Sequence, residues 1–508
     1  MPNLELPKSF DEFVDARKAG FIHVKDYVEN GGHLVGIFCS YTPLELFDAA
    51  GVCAIGLCGT SNEPIADAEK VLPKNLCPLI KASYGFAYTD KCPYTYFCDF
   101  IVGETTCDGK KKMFELLNDI KETYVMQLPQ GQKRAYAKDI WYEEVKLLKE
   151  KLEEKYGVEI TDEKLREAAG KRNALRRTQL ELYALQGMNP PALKSTEVMS
   201  TLAQGLFHFG VDAQHETYRA RVDAAKAAYE AGERPVSEKA KRILLTGCPS
   251  TGVIQKVGVT IENNGGVIVC LDDCGGERTT KMMVDEDADD ILRAISDRYL
   301  EIHCSVMTTN EGRIENTKEM CKKYNVDGVV ELVLQACHTF NIEAVRVQRA
   351  CEQAGVPNVS YNGSTQSACP NTFIVSSRID WTPYYEMVIK AVQDGTALDS
   401  DWTGTLKTGS VVLTDVNEKV AAKGTAEKIA EVTKQLEDGT LHVFDTSAFT
   451  VKGETLTSYM ADVDTDADNA GDTEAIKDGY FHESEFRAAP YFNVQIDGIN
   501  LLDQNFGS

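Results

Sequence analysis

The stretch Asp99-Phe-Ile-Val-Gly-Glu-Thr-Thr-Cys107-Asp-Gly-Lys-Lys-Lys-Met113 decides how the chain folds. Residues 100–102 read as a short buried strand, and Met113, Leu116, Leu117 and Ile120 then recur at helical spacing. Cys107 therefore stands where a strand hands over to a helix, with Gly109 there to let the backbone turn tightly. In an α/β sheet that place is the carboxyl edge, where ligands bind. A thiolate there also gains from the positive end of the helix, which lowers its pKa. Val326-Asp-Gly-Val-Val-Glu-Leu-Val-Leu-Gln-Ala-Cys337-His338 repeats the arrangement in the second half of the chain.

Upstream, residues 34–38 form a strand ending at Cys39, and Thr42 with Pro43 caps a helix running to Ala50, with Gly51 after it. Residues 54–57 are the next strand and lead into Cys58-Gly59, while Cys77 lies in a loop entering a helix. In the second half, residues 243–246 are a strand ending at Cys248, and residues 253–261 are a helix. Residues 267–271 are a strand leading to Asp272-Asp273-Cys274-Gly275-Gly276, and Cys304 and Cys337 follow. The halves match as strand and cysteine, helix, strand with cysteine and glycine, then two further cysteines. Internal duplication of this kind is more specific than any single motif.

Between the halves, residues 141–185 are helical and highly charged, with Gly157 and Thr161 marking a break and restart. Helix continues to a linker at Gly232-Glu-Arg-Pro235. This block reads as a cap or an oligomer contact whose charges form a solvated face. At the N-terminus, Ser9-Phe-Asp-Glu12 reads as a capping box opening a short helix that Gly20 closes.

A chain of 508 residues is long enough for roughly three domains. Its formal charge of -24 argues against nucleic acid and anionic membranes as partners. Met1-Pro-Asn-Leu-Glu-Leu has no signal pattern, and no run approaches the ~18 apolar residues of a membrane helix, so the expected location is the cytoplasm. Fifteen cysteines are many for that compartment, where disulfides are rare. None sits in a Cys-x-x-Cys pair, which argues against zinc ribbons and ferredoxin-type runs. Cys53 and Cys270 inside strands, with Cys321 and Cys351 inside helices, read as small buried hydrophobes.

The remaining cysteines suit an iron–sulfur cluster gathered by the fold from several strand ends. The expected ligands are Cys39, Cys77 and Cys107 from the first half, with Cys274, Cys304 and Cys337 from the second. Cys58 and Cys248 are symmetry-equivalent rivals for the outer places, and zinc is the alternative metal. Three thiolates per half leave each cubane one site short, so an open iron is available to substrate, water or a bridging sulfide. Glu104 and His338 are the acid–base candidates, with a structural role as the alternative for His338. Lys110, Lys111 and Lys112 either attract an anion or simply solvate a helix start. Asp272 and Asp273 either bond backbone amides at their turn or take part in the chemistry.

The segments around Cys39 (Phe38-Cys-Ser-Tyr-Thr-Pro), Cys77 (Leu72-Pro-Lys-Asn-Leu-Cys-Pro), Cys107 and Cys337 (Leu334-Gln-Ala-Cys-His-Thr-Phe) resemble the 2-hydroxyacyl-CoA dehydratase/benzoyl-CoA reductase family. The single-chain double-cubane cluster proteins are the nearest branch, and the resemblance covers roughly residues 5–360. It implies two flavodoxin-like (Rossmann-like) parallel-sheet domains with iron–sulfur clusters in the cleft between them. It also implies a homodimer and an ATP-hydrolysing iron–sulfur activator protein that supplies low-potential electrons. In the double-cubane branch, of the 8Fe-9S type, the substrate is a small molecule. In the dehydratase branch a 4Fe-4S cluster acts on an acyl-CoA thioester, usually with a second subunit. Six candidate ligands in one chain favour the double-cubane branch.

From about Asn358 the chain is similar instead to the C-terminal part of the basic-membrane-protein family of nucleoside-binding lipoproteins. The similarity rests on Val359-Ser-Tyr-Asn362-Gly-Ser, Asp380-Trp381-Thr-Pro and Gln495-Ile-Asp-Gly-Ile-Asn-Leu-Leu. The resemblance places Asn362 and Trp381 near a ligand cleft whose other lobe is absent here. The segment is therefore expected to close the second domain, using an amphipathic helix over 384–392, and then to add an acidic tail with a loop at 462–472. The expected organisation is a first cluster-binding α/β domain at 1–130 and a helical insertion at 131–235. A second cluster-binding domain follows at 236–395, and an acidic α/β extension at 396–508. Three functions fit in order: an activator-dependent iron–sulfur reductase, an (R)-2-hydroxyacyl-CoA dehydratase subunit, and a nucleoside-binding module.

Overall fold

Apolar runs that are buried on both faces become parallel strands, and here they build two sheets of one plan. The computed structural model describes residues 4–205, 207–353, 355, 358–361, 364, 366–367, 369–398, 402–463, 471–483, 485 and 494–498. In the first sheet β1 (Leu34–Ile37), β2 (Cys53–Gly56), β3 (Phe100–Glu104) and β4 (Thr123–Met126) pair in parallel, in the order β2-β1-β3-β4. In the second, β5 (Lys241–Gly247), β6 (Gly266–Asp272) and β7 (Gly328–Leu332) pair in parallel, in the order β6-β5-β7. Each lobe places its first strand centrally, its second on one side and its third on the other. The chain thus leaves the central strand in opposite directions, and in doubly wound sheets such a switch point, beyond the carboxyl ends of the strands, is where ligands bind. These are doubly wound α/β lobes, as the family resemblance implied.

The strands fall within about two residues of their expected bounds. The glycine of the opening stretch does a different job from the one expected. Gly109 has no left-handed backbone; a Cβ there would lie 2.9 Å from Ile80 Cδ1 and 3.1 Å from Leu76 Cδ1. It is small so that the helix over Asp108–Leu117 can pack closely on the segment around Cys77. The tight turn is at Gly247 instead, where φ is +114° and a Cβ would meet the Leu332 carbonyl at 2.1 Å.

Two helices differ from their sequence pattern. The first runs over Asp15–Glu29, straight through Gly20, and only a single 3-10 turn forms at Phe10–Glu12. Phe21, Val24 and Val28 are buried along one face, and that burial outweighs the ~1 kcal/mol cost of an internal glycine. The stretch expected as one helix over 253–261 is a 3-10 turn at Thr251–Val253, a π-helical segment at Ile254–Val259 and one α-turn at Thr260–Asn263. Valines and isoleucine interspersed with Gly252 and Gly258 make a poor α-helix.

The helical block contains Ala137–Tyr156, Asp162–Gly187, Ser195–Gly205 and Val211–Glu230. The Asp162–Gly187 helix starts where Thr161 accepts the Lys164 amide at 3.3 Å. Its charges are not simply a solvated face. Arg172 donates to Asp48 at 2.8 Å, and Arg176 donates to Glu45 at 2.6 Å and to the Tyr299 hydroxyl at 3.2 Å. Farther along, Tyr183 donates to the Gly275 carbonyl and Gln186 to the Ile268 carbonyl. One helix thus bonds to both lobes and holds them in register. Burial raises the Glu45 pKa, but Arg176 and Arg298 outweigh it and leave the carboxyl below its ordinary value.

Residues up to 356 form one compact unit and residues 357–502 another. In the second, β8 (Asn358–Tyr361), β9 (Phe373–Ile379) and β10 (Val411–Leu413) make a separate mixed sheet in the order β10-β9-β8. β8 therefore pairs within this unit rather than extending the β5–β7 sheet. The expected amphipathic helix forms over Thr382–Asp394 and ends at Gly395, where φ is +65°. Trp381, named as a cleft residue, is 56% exposed. Asn362, residues 464–470 of the acidic loop and residues 499–502 of the late motif lie outside the described residues. No helix among the described residues is long and apolar enough to cross a membrane.

Candidate functional site

Every one of the six strand ends that flank the two switch points is followed by a cysteine. Cys39, Cys58 and Cys107 follow β1, β2 and β3, while Cys248, Cys274 and Cys337 follow β5, β6 and β7. Cys77 and Cys107 are the N-cap residues of the helices Pro78–Tyr88 and Asp108–Leu117, and Cys337 immediately precedes the helix His338–Gln353. Ala336, just before it, is held in the left-handed region at φ +56°. Cys304 lies beyond the helix Ile291–Leu300, its amide donating to the Tyr41 hydroxyl at 3.3 Å. Tyr41 in turn donates to the Ile302 carbonyl, and Ser40 donates to the Cys274 carbonyl at 3.3 Å. The first lobe therefore grips the cysteine segments of the second directly.

The thiols act on one another across the lobes. Burial pushes Cys39 well up, Lys110 pulls it down, and Glu104, Cys274 and Cys304 push it up again. Burial, then Cys304, takes Cys274 to about 12, against the pull of Arg278. Cys77 is raised by burial, with Cys337 and Cys107 adding to the rise, and Cys107 by burial, with Cys337 and Cys304 adding. Cys248 donates to the Cys337 sulfur, which lowers Cys337 to about 6 and raises its own pKa. All six expected ligands and both rivals thus belong to one continuous group. Thiols of one half act on thiols of the other, as Cys274 and Cys304 do on Cys39, rather than forming a separate trio in each. Helix-terminal amides do favour the charged forms of Cys77, Cys107 and Cys337, through Leu79, Ile80, Lys110 and Phe340. At Cys107 burial outweighs that help, so the depressed pKa expected there is not found in the bare protein.

Lys110 was not singled out from its neighbours in the sequence, yet it is distinct from them. Lys111 pairs with Asp108 and Lys112 with Glu115 on the surface. Lys110 turns inward, donating to the Phe38 carbonyl at 2.7 Å, and the same carbonyl accepts from Cys58 Sγ at 3.2 Å. Spacing alone could not find it, since Lys110 and Lys111, three and four residues after Cys107, both share that cysteine's side of the helix. Glu104 is fully buried at the end of β3. Burial raises its pKa to about 7, opposed by Lys110 and by a hydrogen bond from Thr42. Its Oε2 has no hydrogen-bond partner. His338 is exposed beside Cys337 and favours that thiolate. Asp272 and Asp273 serve structure: Asp272 meets Arg278 at 3.3 Å and accepts from Thr246 at 2.8 Å, and Asp273 accepts from the Ser250 and Gly275 amides at 2.9 Å.

Among the described residues no three Cys, His, Asp or Glu side chains converge tightly enough to hold a single metal ion. A structural zinc needs three or four donors on one centre. An iron–sulfur cubane instead takes one thiolate per iron corner, so it calls for thiols arrayed around a volume. The donor set here is of the second kind: sulfur donors from both lobes, with an inward-turned ammonium whose ionisable neighbours are mainly thiols. A cavity of about 270 Å³ lies beside the array, lined by Gln127, Leu128, Pro129, Gln130, Arg134 and Tyr136. Gln130 fastens it to the Cys107 turn by donating to the Thr105 carbonyl at 3.0 Å and to that of Thr106.

Two parallel α/β lobes that present strand-end cysteines to one another define the class of this protein. The chain belongs to the 2-hydroxyglutaryl-CoA dehydratase, D-component family, whose model matches residues 39–398. The match continues past Asn358, where the sequence alone suggested a departure. A putative dehydratase subunit, YjiM, of Escherichia coli is 42% identical over 349 residues, covering 69% of this chain and 90% of that protein. The (R)-phenyllactyl-CoA dehydratase beta subunit of Clostridium sporogenes is 23% identical, covering 69% of this chain and 92% of its own length. The (R)-2-hydroxyglutaryl-CoA dehydratase subunit beta of Acidaminococcus fermentans is 20% identical, covering 66% and 87%. A solved solute-binding protein of an ABC transporter from Conexibacter woesei aligns at a TM-score of 0.24 and 10% identity, over 81% of this chain and 98% of its own, too low to carry an argument.

Proposed function

We propose that this member of the dehydratase family is an iron–sulfur reductase. In this reading Cys39, Cys77, Cys107, Cys274, Cys304 and Cys337 hold a double-cubane (8Fe-9S) or 4Fe-4S cluster. The observation that carries the proposal is the single group of mutually interacting thiols drawn from both lobes. When bound, such a cluster supplies low-potential one-electron chemistry. The chain's own residues do the rest. Tyr41, Ser40 and the Asp162–Gly187 helix hold the two sets of thiols in register. Glu104 holds a proton at Oε2 beside the thiols, and His338 is a second proton donor near Cys337. The cavity beside the Cys107 turn receives a small substrate, with Arg134 on its rim favouring an anionic one. Electrons come from an ATP-hydrolysing iron–sulfur activator protein, and the working unit is a cytoplasmic homodimer. Anaerobic purification with iron and sulfide analysis tests the proposal; fewer than about four irons per chain would overturn it.

The beta-subunit relatives favour a second form of the same reading, an (R)-2-hydroxyacyl-CoA dehydratase subunit acting with a partner chain. Turnover of a 2-hydroxyacyl-CoA thioester only after a second subunit is added would select it. Activity of the isolated chain toward a small non-thioester substrate would reject it.

A further inference from the structure

Lys110 distinguishes one side of the thiol group from the other. Its ammonium lies 5.6 Å from the Phe38 ring centroid and donates to the Phe38 carbonyl, next to Cys39. Burial opposes its charge there, and Cys39, Cys58, Glu104 and Cys107, in that order, favour it. Among the described residues it makes no ion pair with a carboxylate. Arg278, the cation near Cys274 and Cys304, is already matched by Asp272 at 3.3 Å. Cys77, Cys248 and Cys337 are acted on by burial, by one another, by backbone amides, by the Thr339 hydroxyl, by the exposed His338 and, at Cys77, by Cys107; no carboxylate-free cation of Lys110's kind is among them.

A fixed positive charge in a medium of low dielectric stabilises an added electron nearby, and the effect falls with distance. We propose that Lys110 is a positioning residue for the electron. On the reading that these thiols hold a cluster, its charge would make the side ligated by Cys39 easier to reduce than the side ligated by Cys337, with Cys107 between the two. One electron passes from an external low-potential donor, which is oxidised, to that side, which is reduced. The ammonium balances the added charge, so no proton has to enter with it.

The test is a potentiometric titration, followed by electron paramagnetic resonance, of anaerobically reconstituted wild type, Lys110→Met, Lys110→Gln and Lys110→Arg, each with its iron and sulfide measured. The neutral variants are expected to keep wild-type iron but to be reduced at least tenfold less at a given potential, a shift of ~59 mV downward for one electron. Lys110→Arg is expected to keep the wild-type potential. Full iron with an unchanged potential in Lys110→Met overturns the inference while leaving the cluster reading intact. So does a Lys110→Arg protein shifted as far as Lys110→Met. Neutral variants that fail to load iron while Lys110→Arg loads fully would give Lys110 an assembly role and overturn the electronic one. Wild type without iron overturns the cluster reading, and the inference with it.

Discussion

The two lobes carry cysteines at the same three strand ends, but they arrange charge in opposite ways. In the second lobe, charge is consumed internally. Arg313 is fully buried and donates to Glu343, to Thr246 at 3.1 Å and to Glu331 at 3.3 Å, while Asp272 joins Arg278 and accepts from Asn316 at 3.1 Å. In the first lobe, Lys110 and Glu104 act on each other without ion-pair contact and stand among the thiols. Even the two carboxyls raised to about 7 differ in this respect. Burial raises both, but Glu331 has an arginine at 3.3 Å, whereas Glu104 has the Lys110 charge nearby without an ion-pair contact, a hydroxyl donor and an unsatisfied oxygen. The two lobes share the geometry of the strand ends. The second lobe became the buttress and the first kept its ionisable groups available for chemistry.

The widest break in this comparison is to remove a thiol from the array. Cys107→Ser is expected to lose at least half of the bound iron, whereas Cys92→Ser, a cysteine at a helix cap outside the array, leaves it unchanged. Iron analysis of the two variants side by side checks this. Next comes the buttress. Arg313→Met strands Glu343 and Glu331 without their cation and should cost about 3–5 kcal/mol in denaturant unfolding of the metal-free protein.

Glu104 sharpens the contrast through pH. Its pKa is raised on folding, from an ordinary 4.5 to about 7, so the folded state holds the proton that the unfolded state releases. Its burial therefore costs nothing below pH about 4.5 and costs progressively more as pH rises through 7, up to about 3 kcal/mol. Glu104→Gln should stabilise the metal-free protein at pH 8 and leave it unchanged at pH 4.5; equal effects at both would contradict this. The smallest effect is expected at Ala336, whose left-handed backbone costs ~1–2 kcal/mol that glycine avoids. Glycine's greater freedom when unfolded offsets part of this, so Ala336→Gly should gain roughly 0.5 kcal/mol in the same unfolding assay.

Much of the fold was legible because its signals are local. The buried runs around Phe100, Ile243 and Val267, and the break at Gly157 and Thr161, fall where the elements begin and end. Gly20 and Gly109 misled for one reason: glycine's local meaning was overridden by packing with residues elsewhere in the chain. The charged helical block misled in the same way, since Arg172 and Arg176 resemble surface residues until Asp48 and Glu45, more than a hundred residues earlier, are brought to them.

By itself, the amino-acid sequence determined the α/β class, the duplicated strand-and-cysteine order and the placement of cysteines at strand ends, because each depends on neighbours a few residues apart. Only the tertiary structure decided which thiols face one another, that Lys110 turns inward and that burial raises Cys107. Those outcomes depend on dielectric and on charges brought close in space. The groups concerned are as far apart in the chain as Lys110 and Phe38, 72 residues, or Ser40 and Cys274, 234 residues.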